Sequence, residues 1–134
     1  MPKIFESART PEAIASVMEA RFNSRDVAVA LEIFHPESVL VDSTGTMHRG
    51  LEAIGNELWK LFRTGLPMRA KQRELIVTGD IALLISDWSY DGVGPDGTVI
   101  KTKETATDVM RRGEDGIWRY LIDNPFGTRP RNPA

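Results

Sequence analysis

Two aspartates in this chain stand where an acid is costly. Asp42 closes the apolar run Val39-Leu40-Val41, and Asp108 lies inside a long stretch that reads as a strand. Side chains alternate between the two faces of a strand. Asp42 therefore shares a face with Ser38 and Leu40, and Asp108 shares one with Ile100, Thr102, Glu104, Ala106 and Met110. A carboxylate on an apolar inward face costs several kcal/mol to keep ionised unless it is partnered. Burial raises its pKa, and two carboxyls in one cavity push their values apart. One can then serve as a base while the other keeps its proton and donates it. The competing structural roles are plain: Asp42 as a turn residue bonding the backbone of residues 43–45, and Asp108 as the cross-strand partner of a lysine or arginine.

Other side chains could complete such a site. Trp88 and Tyr90 share a face with Ala82, Leu84 and Ser86 on the strand expected at 81–90. Trp59 and Trp88 have core spacing and are candidates to line a cavity. Asn124 aligns with Trp118, Tyr120 and Ile122 and could orient a ligand carbonyl; Asp123 falls on the opposite face with Ile117, Arg119 and Leu121, so the two cannot serve one pocket unless the strand bulges at Pro125. His48 lies in a turn-rich stretch, either as an exposed loop residue or at a cavity rim near Asp42. His35, before Pro36, reads as structural. The two histidines lack ligand spacing and there is no cysteine, so no metal site is expected. No cofactor motif is present either; the GVGPDG run at 92–97 is not followed by a helix and reads as a hairpin.

The elements that must hold these residues follow from periodicity. Thr10-Pro11-Glu12 starts a helix carrying Ile14, Val17, Met18, Arg21 and Phe22. Asp26 can cap a second, with Val27, Ala30, Leu31 and Phe34, ended by His35-Pro36. A strand over 38–42, a turn at 44–46 and a short return strand over 47–50 lead to a third helix over 51–63. Strands then follow at 69–78, 81–90, 99–111 and 117–124, with turns between them. The expected architecture is α+β: a cone-shaped, curved antiparallel sheet with three helices on its concave side. The wide end of a cone is a natural small-molecule cavity.

The chain's 134 residues suit one domain, with residues 1–9 and 128–134 expected as flexible tails. Hydrophobic residues make up 41% and charged residues 27%, a soluble composition, and the net charge of −2 gives no reason to expect nucleic acid or an anionic membrane as partner. No apolar run is long enough for a signal peptide or a membrane span, so the cytoplasm is the expected location.

The order of elements resembles the nuclear transport factor 2-like, or SnoaL-like, superfamily, which includes ketosteroid isomerase and polyketide cyclases. FNSRD at 22–26 is similar to the family's junction between the first two helices. VLVDSTGTMHRGLEAI at 39–54 resembles the isomerase segment that ends its first strand in an aspartate. ATDVMRR at 106–112 resembles the strand bearing its second. WRYLIDNPFG at 118–127 is closer to the broad SnoaL-like group. The resemblance implies Asp42 as general base and Asp108 as a protonated donor to an enolate. The family's tyrosine donor on the first helix corresponds to Met18, which cannot donate; Tyr90 or Tyr120 would have to replace it. It further implies a cofactor-free isomerase, cyclase or dehydratase acting on an apolar carbonyl compound, or a non-catalytic binding or assembly domain of the same fold. The outer sheet face, with Thr105, Thr107 and Val109, suggests a homodimer.

Overall fold

The computed structural model describes residues 4–130. A 3-10 turn at Pro11–Ala13 runs into α1, Ile14–Asn23. Ile14, Val17, Met18, Arg21 and Phe22 are its buried stripe, at the spacing that faces one side of a helix. Arg21 is the odd member, only 3% exposed. Its guanidinium donates to the carbonyls of Phe5, Glu6 and Val29 and to Glu32 Oε1, so its charge is fully used. Ala8 is buried, and its carbonyl accepts from the Trp118 N–H at 2.8 Å. Residues 5–8 of the expected N-terminal tail are therefore tied down. Arg129, in the expected C-terminal tail, pairs with Glu104. Residues 1–3 and 131–134 of those tails lie outside the described residues.

Asp26 caps α2, Val27–Leu31, accepting from the N–H groups of Ala28 and Val29. This helix stops before Phe34, contrary to the periodicity. Phe34, His35 and Pro36 open β1, Phe34–Val41. Packing decides the difference: the Phe34 ring stacks on Tyr120 with centroids 5.1 Å apart. Pro36 is tolerated because the pairing of β1 with its neighbour is interrupted between Phe34 and Val39, where a missing N–H breaks no ladder.

The remaining elements are β2 (Met47–Arg49), α3 (Leu51–Phe62), β3 (Met68–Thr78), β4 (Ile81–Val93), β5 (Val99–Arg112) and β6 (Trp118–Asp123). They form one sheet in the order β2-β1-β6-β5-β4-β3. Every neighbouring pair is antiparallel except β1 with β6. The architecture is the expected α+β curved sheet with helices on one face. Asn23 fixes α1 to the start of β3: its side-chain amide donates to the Met68 carbonyl at 2.8 Å and accepts from the Met68 N–H at 2.7 Å. Gly50 turns β2 into α3 at φ +86, a conformation that side chains disfavour. On the outer face, Val39, Ile122, Val109, Leu83 and Ile76 are successive register partners across β1, β6, β5, β4 and β3. Ile122 and Ile76 are exposed.

Candidate functional site

A cavity of about 350 Å³ lies between the helices and the inner sheet face. Most of its wall is apolar: Met18 and Phe22 from α1, Leu58 and Leu61 from α3, Leu40 from β1 and Met68 from β3. An aromatic shelf closes one side. Trp88 stacks on Tyr90 at 6.0 Å and 12°, and meets the edge of Phe126 at 5.4 Å and 71°. The Trp88 indole N–H donates to the Pro125 carbonyl at 2.7 Å, which holds the segment after β6 against the cavity.

Two carboxyls sit at the buried end: Asp108 on β5, 2% exposed, and Asp123 on β6, 6% exposed. Strict alternation predicts Asp123 on the opposite face. A bulge changes its phase: Val109 pairs with Ile122 and Met110 with Tyr120, leaving Leu121 unpaired. Tyr120 and Asp123 thus face inward together, while Ile122 turns out to solvent. The side chains of Asp108 and Asp123 hydrogen-bond to each other. Asp108 Oδ1 also accepts from the Asn124 N–H at 2.8 Å. Burial pushes the Asp108 carboxyl well above the usual carboxylate range, and the negative charge of Asp123 pushes it further. Burial also raises Asp123, to about 6. The pair therefore holds one proton at neutral pH, on Asp108, facing an ionised Asp123. Tyr120 is pushed up by burial and then by the two acids, so it remains a neutral phenol able to donate.

Asp42 is not held in an apolar place. It lines the more exposed end of the cavity, and its side chain is 25% exposed. Oδ1 accepts from Thr44 N at 2.9 Å, Thr44 Oγ1 at 2.6 Å and Thr46 N at 3.0 Å. Oδ2 lies 2.9 Å from His48 Nε2. The bond to His48, then those from Thr44, hold its carboxyl well below the usual range. A carboxylate so stabilised is a weak base. The turn role weighed from the sequence describes it better than the role of general base.

The other candidates divide. Trp88 and Tyr90 line the cavity. Trp59 does not: it is 56% exposed and lies under the Arg63 guanidinium at 4.8 Å, because its position on α3 points away from the sheet. The Asn124 side chain donates to Thr107 Oγ1 at 3.0 Å, so only its backbone N–H serves the site, through Asp108. His48 belongs to β2 and reaches Glu57 Oε1 at 3.4 Å as well as Asp42. Lys60 takes the other Glu57 oxygen at 2.8 Å. Among the described residues, Asp42, His48 and Glu57 form the group that could hold a metal ion, with ligand atoms within 4.8 Å of one another. Histidine spacing could not show it, because Glu57 arrives from α3. Glu57, Lys60, Thr64 and Ser86 are among the polar cavity residues that sequence reasoning did not single out, and it admits Asp123 to the pocket only on condition of a bulge. For Asp123 the available signal was Pro125, which marks a place where strand alternation can slip.

The sheet, the cavity and the inward acids define an α+β cone of the nuclear transport factor 2-like type. Residues 14–121 match the family model of the SnoaL-like domain, and the chain belongs to that family. Solved structures share the fold at low identity. A Thiobacillus denitrificans protein assigned as a calcium/calmodulin-dependent protein kinase type II association domain is similar at 20% identity and TM-score 0.72, covering 89% of this chain and 95% of that one. A ketosteroid isomerase-like protein from Erwinia carotovora atroseptica is similar at 17% and 0.71, covering 82% and 88%. A Streptomyces avermitilis protein assigned as a dehydratase of the NTF2-like family is similar at 16% and 0.68, covering 85% and 92%. No curated protein matches the chain. Among the described residues no helix is long and apolar enough to cross a membrane.

Proposed function

We propose that this protein binds a small apolar carbonyl compound and moves a proton on the carbon next to its carbonyl, without a cofactor. The buried Asp108–Asp123 pair carries the reading. The Asp123 carboxylate takes the carbon-bound proton, and the electron pair passes to the carbonyl oxygen as an enolate. The pair, now holding two protons, returns one. Delivery to a conjugated carbon gives isomerisation; attack of the enolate carbon on a second carbonyl of the same molecule, with the proton delivered to the new alkoxide, gives ring closure; and delivery to a departing β-hydroxyl releases water. Tyr120 donates to the developing negative charge. The isomerase-like and dehydratase-assigned relatives support this range of reactions. Because the base is ionised Asp123, the rate rises with pH through about 6. The test is exchange of α-protons for deuterium in a panel of cyclic ketones, followed by NMR. Asp123→Asn lowers exchange by roughly 10²- to 10⁴-fold, the usual contribution of a positioned base. Exchange that survives this substitution defeats the reading.

Asp42, with both oxygens tied to fixed partners, favours a second reading: a binding or assembly domain without catalysis. The Thiobacillus relative's assignment as an association domain supports it. It predicts ligand affinity with no exchange in the natural protein. Under either reading a homodimer is expected through the outer apolar row. Val109→Glu places a charge at the centre of that row and should yield monomers in sedimentation at micromolar concentration; a natural protein already monomeric there removes the expectation.

A further inference from the structure

Among the described residues, two buried side-chain hydroxyls have no hydrogen-bond partner, those of Ser38 and Ser86. Ser86 lines the cavity and is 1% exposed. It stands on the inner face of β4 between Leu84 and Trp88, opposite Ala106, while Leu84 is opposite Asp108. Ser86 and Asp108 are therefore diagonal neighbours on one face, within reach of one small ligand. An unpartnered buried hydroxyl costs about 1–3 kcal/mol. A resident water would need 2–4 polar partners, as a rough rule; Ser86 is flanked on β4 by Asp87 and Ile85, shares its face with Leu84 and Trp88, and lies opposite Ala106 on β5 and the exposed Gln72 on β3. Three other polar groups near this wall are engaged: the Trp88 indole with Pro125, Asn124 with Asp108 and Thr107, and the Thr64 hydroxyl with the Leu61 carbonyl; the Tyr120 phenol is the donor already assigned to the developing charge. Met18, on α1, offers no donor.

We propose that Ser86 Oγ donates a hydrogen bond to the carbonyl oxygen of the bound ligand, setting that oxygen on β4 and the adjacent carbon against Asp108 and Asp123. The inference rests on the reading that a carbonyl compound occupies the cavity. It adds a donor from the sheet where α1 supplies none.

The probe is 1-indanone labelled with carbon-13 at its carbonyl, a flat ketone that suits the Trp88–Tyr90–Phe126 shelf. Binding to the natural protein shifts the carbonyl resonance downfield, as hydrogen bonding does. In Ser86→Ala the resonance moves back toward its value in apolar solvent and binding weakens about tenfold, the size of one hydrogen bond. The thermal midpoint stays level or rises, since an unpartnered hydroxyl has been removed. An unchanged shift and affinity, or a lower midpoint showing that the hydroxyl serves the fold, overturns the proposal. Deuterium exchange of the same ketone separates the two readings. A Ser86-dependent shift without exchange keeps Ser86 and removes proton transfer. Exchange with a shift indifferent to Ser86 does the reverse. Absence of indanone binding overturns both.

Discussion

Replacing Asp123 by asparagine tests the acid pair through stability alone. Asp123 is 6% exposed, and burial moves its carboxyl from 3.8 to about 6. The folded state then binds its proton more tightly than the unfolded chain. Stability from this group is fully present below about pH 4 and is lost as pH rises through about 6. The rise corresponds to about 3 kcal/mol, lost by pH 8. For a chain of 134 residues that is about 10 °C in thermal midpoint. Asparagine keeps the shape and cannot ionise, and Asp108 beside it stays neutral through its own burial. The assay is urea unfolding of both proteins at pH 5 and pH 8. The gap between variant and natural protein should move in the variant's favour from pH 5 to pH 8 by about half of that amount, because by pH 5 the carboxyl of the unfolded chain has already ionised. A gap that stays constant, or moves the other way, would mean that Asp123 ionises without penalty. No shared proton would then exist, and the mechanism built on it would fall.

Asp42 should separate by substitution type. Asp42→Asn retains an oxygen for the Thr44 and Thr46 N–H groups, whereas Asp42→Ala loses every bond and should cost about 1–3 kcal/mol by urea unfolding. Asp42→Asn should also reduce α-proton exchange by less than about tenfold; a loss of about 10²-fold or more would return the base role to Asp42. Gly127 passes so close to Thr107 that an added Cβ would collide with its side-chain hydroxyl. Gly127→Ala should therefore push Pro125 and Phe126 off the cavity and destabilise by about 1–3 kcal/mol. Trp88 fluorescence should report the loosened wall, and an unaltered spectrum with unaltered stability would contradict the packing described.

The fold was legible because its signals are local. Asp26 caps α2, Gly50 and Gly65 bracket α3, and strict alternation carries Ala106, Asp108 and Met110 inward on β5. What stayed hidden depends on partners distant in sequence. Phe34 continues a helical stripe, yet a stacking contact with Tyr120 on β6 draws it into a strand. Unbroken alternation assigns Asp123 outward, and one unpaired residue, Leu121, reverses that assignment. The apolar run before Asp42 points to a buried acid, while its chemistry is set by Thr44, Thr46 and His48 on its other side. Periodicity cannot report a bulge, because the extra residue exists only relative to the neighbouring strand.

The two acids and the serine also bear on one another energetically. Asp108, Asp123 and Ser86 all destabilise the folded chain where they stand: two by burial of carboxyls, one by a hydroxyl without a partner. Apolar residues of similar size at these positions would fold at least as well. A structural ion pair does not explain the acids, because no cation among the described residues pairs with them; their partners are each other and the Asn124 N–H. The remaining common feature is position, since all three face the same cavity from adjacent strands of a rigid sheet. Groups that weaken the fold and converge on one space are accounted for by what enters that space. A polar atom of a ligand can take the serine's hydrogen bond and meet the proton held between the acids. Binding should then raise the thermal midpoint of the natural protein more than that of Ser86→Ala or Asp123→Asn, whose cavities have less unmet polarity to satisfy.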